Sequence, residues 1–124
     1  MNQTAKIKTV LIVDDAPGIR LMIKTYLEPE GYSVVQAADA ETALAICKRE
    51  RIDLIILDMM LPGSTMGNDL LVQLRRKHAT SGIPVIAISG LSPFQDGLQT
   101  IDAEVVFLRK PFNKEQFMPL IRPG

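Results

Sequence analysis

Two hydrophobic rhythms alternate along the chain: short apolar runs, and longer stretches with apolar residues three or four apart. The first pattern, bounded by turn residues, reads as buried strands, and the second as amphipathic helices. Strands are expected at Thr9–Val13, Ser33–Ala37, Asp53–Leu57, Pro84–Ile88 and Val105–Leu108. Pro17 opens the first helix, where its missing N–H costs nothing, with Ile19, Met22, Ile23 and Tyr26 inward and Pro29 and Gly31 closing it. Asp39 reads as the N-cap of a second helix whose Ala40, Ala43, Leu44 and Cys47 face the core. A third, Asn68–Lys77, turns Leu70, Leu71 and Leu74 inward and ends in Arg75-Arg76-Lys77, a solvated end suited to the negative helix pole. Ser92-Pro93 begins a fourth with Phe94, Leu98 and Ile101. Gly97 should weaken it by about 1 kcal/mol relative to Ala and leave it mobile. Asn113 and Gln116 suggest a capping box for the last helix, and Phe112 and Phe117 a hydrophobic staple. Pro119 should end that helix early.

Strand and helix in strict alternation predict an α/β fold, a doubly wound five-stranded parallel sheet with helices on both faces. Short right-handed crossovers give the strand order 2-1-3-4-5 of flavodoxin-like folds. The 124 residues fit one domain, with a core from about residue 8 to 118.

Composition narrows the partners. Fourteen basic residues balance fourteen acidic ones, so no global field draws the chain to nucleic acid or an anionic membrane. Cys47 stands alone, which excludes an internal disulfide, and reads as a small core residue. His78 reads as a solvated helix-end residue. The polar N-terminus is followed by an apolar run too short for a signal peptide, and no stretch is long enough to cross a bilayer. A cytoplasmic location is the expectation.

The chemistry gathers where strands end. Val10-Leu11-Ile12-Val13 runs into Asp14-Asp15, Leu54-Ile55-Ile56-Leu57 stops at Asp58, the fourth strand ends at Ser89-Gly90, and Lys110 follows the fifth by two residues. Ligands of open parallel sheets bind outside the carboxyl ends of the strands, where strand order reverses. Adjacent first and third strands would set the acidic pair beside Asp58. Crowded carboxylates repel unless a cation neutralises them. Three such oxygen ligands beside a Lys suggest a Mg²⁺ site that handles a phosphoryl group. Singly, each residue has an ordinary reading: Asp14-Asp15 as helix-capping residues, Asp58 as a turn residue, Ser89 as a loop hydroxyl, Lys110 as a solvated cation. With each charged type at roughly 6% of positions, the three aspartates and the lysine would coincide by chance on the order of once in 10⁵.

With these marks, and with Pro17, Leu61-Pro62 and Lys110-Pro111-Phe112, the chain from about Val10 to Phe117 resembles the receiver domain of two-component response regulators. The resemblance implies that Asp58 is the nucleophile that accepts a phosphoryl group. Asp15, Asp58 and the Met60 carbonyl would ligate Mg²⁺, and Asp14 would reach it through water. Lys110 would pair with the phosphoryl group after a cis bond to Pro111. Ser89 would donate its hydroxyl to a phosphoryl oxygen, with Gly90 leaving space beside it. Ser89 moving toward the added charge would let Phe107, often Tyr in the family, turn inward and reshape a partner-binding face.

The donor implied is a sensor histidine kinase or a histidine phosphotransfer protein, and the recipient a downstream effector, with a weak homodimer allowed. Two departures stand out. The loop after Asp58 is one residue longer than usual, with Met66 before Gly67 in place of Asp or Asn, and Pro119 shortens the last helix. Apolar Met60 and Leu91 are expected to screen the acyl phosphate from water. A pseudo-receiver that binds partners without phosphorylation is the alternative. Turnover of external substrates is not expected, because aspartyl phosphohydrolases usually carry a second Asp where Met60 stands. A dinucleotide binder is disfavoured by the acidic, Gly-poor first strand-to-helix turn.

Overall fold

A computed structural model describes residues 7–60, 67–90 and 105–121. The strands are β1 (Thr9–Val13), β2 (Ser33–Ala37), β3 (Leu54–Asp58), β4 (Val85–Ser89) and β5 (Val106–Arg109). They form one parallel sheet in the order β2-β1-β3-β4-β5. Every residue of β3 and β4 is buried, as central strands covered on both faces require. The loop residues Leu61 to Met66, the helix expected after Ser92-Pro93 with its Gly97, and Leu91 lie outside the described residues.

Alternation along each strand divides the core into two layers. Val10, Ile12, Leu54, Ile56, Ile86 and Ile88 face one way, onto helix α1 (Pro17–Leu27) and the short α4 (Lys114–Phe117). Leu11, Val13, Ile55, Leu57, Val85 and Ala87 face the other, onto α2 (Ala40–Arg49) and α3 (Gly67–Arg76). Helices on both faces are what a doubly wound chain must build, because each parallel crossover needs a covering helix.

The capping signals act as expected. Asp39 accepts from the Thr42 N–H at 2.7 Å, and the Asn113–Gln116 box closes in both directions at 2.9 Å. The rings of Phe112 and Phe117 stack at 5.9 Å, and the α-helix stops at Phe117 before a 3₁₀ turn that holds Pro119. Gly31, at φ 96°, takes the left-handed position after the turn that follows α1, where a side chain would be strained.

Three expectations need correction. In α2 Ala40 and Ala43 are buried as expected, but Ile46, outside the expected stripe, is buried with them, while Leu44 and Cys47 pack against the core only partly covered. The third strand begins at Leu54 instead of Asp53: Asp53 Oδ2 accepts from the backbone N–H groups of Lys8 (3.1 Å) and Thr9 (2.9 Å), tying down the start of β1. Arg75 is not a plain solvated end, since its guanidinium donates to the carbonyls of Ser81 (3.2 Å) and Ile83 (2.7 Å) in the approach to β4. His78 is exposed.

Candidate functional site

Register brings the strand-end residues together. Val13 pairs with Leu57, so Asp14 follows β1 beside Asp58, the last residue of β3. Asp58 pairs with Ile88, one residue before Ser89, and Ser89 pairs with Arg109, one residue before Lys110. The ladder continues past the strands: Asp14 N–H donates to the Ala37 carbonyl, Met59 N–H to Ile88, and Lys110 N–H to Ser89. These bonds tie the backbone of the site to the strands of the sheet.

Two of the three carboxylates are buried. Asp14 is 1% exposed and Asp58 3%, while Asp15 lies at the surface. Asp58 Oδ1 accepts from the Met60 N–H at 3.0 Å, leaving Oδ2 to face Lys110 Nζ at 3.4 Å. Asp14 Oδ1 accepts from the Ala16 N–H at 2.9 Å. Its Oδ2 sits 3.5 Å from the same ammonium, an ion-pair distance, and has no hydrogen-bond partner among the described residues. Burial pushes the Asp14 carboxyl above its usual range, and the neighbouring Asp58 charge adds to this; the Ala16 N–H and Lys110 oppose it. The ordinary capping account of the acidic pair therefore fails: the N-cap of α1 is Ala16, and no side chain caps that helix.

One oxygen from each of Asp14, Asp15 and Asp58 lies within 4.8 Å of the others. Opposed ligands of an octahedral Mg²⁺ stand about 4 Å apart, so the cluster has the right span for a small hard cation. The observation that favours one is the buried Asp14 Oδ2, which makes no hydrogen bond among the described residues and shares its single cation, Lys110, with Asp58, so two desolvated carboxylates are only partly neutralised.

The remaining expected residues are placed as follows. Ser89 is fully buried at the carboxyl end of β4, the strand beside β3. Phe107 is half-buried, pairs with Ala87 and packs on the α2–α3 side. Gly90 is exposed, and a methyl group there would meet nothing within 4 Å. Met60, 51% exposed, stands at the rim. The Lys110–Pro111 bond is cis, as the resemblance implied. Sequence reasoning missed Arg20. Its Nη1 donates to the Asp14 carbonyl at 2.7 Å and its Nε to Gln36 Oε1 at 3.0 Å, and no local spacing signals either contact.

Comparison with known proteins shows the family and the fold. Residues 10–122 match the response regulator receiver domain family, and the chain belongs to it. It is 37% identical over 114 residues to the DNA-binding dual master transcriptional regulator RpaA of Synechocystis sp., covering 91% of this chain and 47% of that protein. It is 39% identical over 111 residues to the nitrogen assimilation regulatory protein NtrX of Azorhizobium caulinodans, covering 88% of this chain and 24% of the relative. The chain thus spans half or less of the curated relatives it matches. The chemotaxis response regulator CheY4 of Vibrio cholerae superposes with a TM-score of 0.85 at 30% identity, covering 94% of this chain and 97% of that one. A receiver domain of a Pseudomonas aeruginosa sensor histidine kinase, solved with a magnesium ion coordinated in its active site cleft, gives 0.81 at 26% identity over 94% of this chain and 95% of that one. Residues 10–122 are thus a receiver domain of two-component signalling, related to phosphorylation-based regulators. Among the described residues, no helix is long and apolar enough to cross a membrane.

Proposed function

We propose that residues 1–124 form one receiver unit that works as a phosphorylation-dependent switch, with Asp58 as its phosphoacceptor. The observation that carries this reading is the convergence of Asp14, Asp58 and Lys110 at one sheet edge, with both Oδ2 atoms within 3.5 Å of one ammonium. Scattered surface charges do not make such a pocket.

Asp58 is held for attack by two features. Its Oδ1 is fixed by the Met60 N–H, and its Oδ2 is turned toward Lys110. In the transfer, an Asp58 oxygen bonds to phosphorus while the phosphorus–nitrogen bond of a phosphohistidine donor breaks. Lys110, 29% exposed at its side chain, can swing from the carboxylates to the new phosphoryl oxygens as a compact point charge. Asp15, Asp58 and the Met60 carbonyl would hold Mg²⁺, with Asp14 reaching it through water, and the ion would neutralise the crowded carboxylates and the incoming phosphoryl oxygens. Ser89 donates its hydroxyl to the phosphoryl group, with Gly90 leaving room, and Phe107 follows it to signal at the β5 face. The donor is a sensor histidine kinase or a phosphotransfer protein, and the reader an effector protein or domain.

The deciding experiment is intact mass after incubation with a small acyl-phosphate donor, with and without Mg²⁺, beside an Asp58→Asn control. One added phosphoryl group that requires Mg²⁺ and is absent from the control is the expected result. The absence of both an adduct and Mg²⁺ binding would leave a phosphorylation-independent interaction module.

A further inference from the structure

Asp15 is the weakly held member of the acidic cluster. Among the described residues no hydrogen bond holds its carboxylate, and it lies at the surface while Asp14 and Asp58 are buried. Its position is therefore set by the backbone that carries it. The plane of the peptide joining Asp14 to Asp15 contains the Asp14 carbonyl, so whatever grips that oxygen fixes how Asp15 leaves the chain.

That grip comes from α1. Asp14 N–H still donates to the Ala37 carbonyl, but β2 ends at Ala37 and Asp39 turns away to cap α2. At the Asp14 carbonyl the donor is Arg20 Nη1, at 2.7 Å, the short separation of a charge-assisted bond. Arg20 is itself braced, because its Nε donates to Gln36 Oε1 on β2 at 3.0 Å. The planar guanidinium uses two of its fixed donor directions, one for the brace and one for the carbonyl, a spacing that the single nitrogen of a Lys does not reproduce.

We infer that Arg20, braced by Gln36, is a positioning residue for the metal site, orienting the Asp14–Asp15 peptide so that the Asp15 carboxylate meets those of Asp14 and Asp58. The inference rests on the Mg²⁺ reading above. It makes a counterintuitive demand. A cation beside an acidic pocket repels Mg²⁺, so removing Arg20 should tighten binding if it acts only through its charge. If it acts by holding the peptide, its removal should weaken binding. Groups that orient metal ligands from behind typically contribute 10- to 100-fold in affinity.

The test is calorimetric titration of Mg²⁺ into wild type, Arg20→Met, Arg20→Lys, Gln36→Ala and the Arg20→Met/Gln36→Ala double variant, with thermal unfolding to establish folding. We expect Arg20→Met to weaken Mg²⁺ binding about tenfold. Gln36→Ala should weaken it less and add nothing in the Arg20→Met background, and Arg20→Lys should recover only part of the loss. Unchanged or tighter binding in Arg20→Met would overturn the proposal and leave Arg20 a plain tie between α1 and β2. Should Arg20→Met fail to fold, Gln36→Ala decides by the same criterion. A wild-type protein that binds no Mg²⁺ would remove the metal reading itself, a separate failure visible before any variant is made.

Discussion

Lys110 Nζ stands 3.4 Å from Asp58 Oδ2, joining residues whose strands are separated in the sheet by β4. The same ammonium is 3.5 Å from Asp14 Oδ2, so one cation serves two buried carboxylates. Replacing it with Met leaves those charges facing one another. Lys110→Met should destabilise the metal-free protein by about 1–3 kcal/mol, below the figure for a fully buried pair because the Lys side chain is partly solvated. Mg²⁺ should bind more tightly to the variant, having no ammonium to displace. Thermal unfolding with and without Mg²⁺ checks both, and an unchanged metal-free midpoint would mean that Lys110 does not hold the pair.

Asp14 predicts the opposite sign. Burial disfavours its charged form, and one oxygen has no hydrogen-bond partner among the described residues. A neutral residue of the same shape removes that cost. Asp14→Asn should stabilise the metal-free protein at neutral pH by about 1 kcal/mol, while weakening Mg²⁺ binding. Denaturant unfolding beside a Mg²⁺ titration separates the two effects. A destabilised variant would show that the Lys110 contact outweighs the desolvation.

Phe117 anchors the short last helix. It is fully buried, stacks on Phe112 and lies 5.9 Å from the Tyr26 ring on α1. The α4 helix has only the four residues Lys114–Phe117, and the neighbouring Met118 and Ile121 are buried in the same layer of the core. Phe117→Ala should cost about 3–5 kcal/mol, read from urea unfolding. A loss below about 1 kcal/mol would mean the corner collapses to refill the space.

Asp39 supplies the pH dependence. The Thr42 N–H it caps holds its carboxyl below the usual range. A depressed folded value means that its contribution is complete above the unfolded value near pH 4 and is lost as the pH falls through the folded one. Asp39→Ala should therefore lower the unfolding midpoint at neutral pH, and the gap to wild type should close as the pH drops below about 4. A gap independent of pH would assign the effect to helix propensity.

The order of elements, their caps and most of the core were readable from the sequence, because strand and helix periods, Pro17, Asp39, Asn113 with Gln116, and Pro119 act within a few residues of chain. The strand-end positions of Asp14, Asp15, Asp58, Ser89 and Lys110 followed as well, since a parallel sheet gathers its carboxyl ends along one edge. What the sequence could not supply is which of two adjacent aspartates is buried. Asp14 is buried and Asp15 lies at the surface, although both carboxylates reach the same cluster just past the end of β1. Nor could it place Arg20 on the Asp14 carbonyl, Asp53 on the amides that start β1, or Arg75 on the carbonyls before β4. These are polar side chains reaching backbone groups of segments distant in the sequence or beyond the end of their own element. Periodicity registers which faces are apolar. Only the tertiary structure decides where the unpaired backbone groups fall and which side chain is near enough to satisfy them.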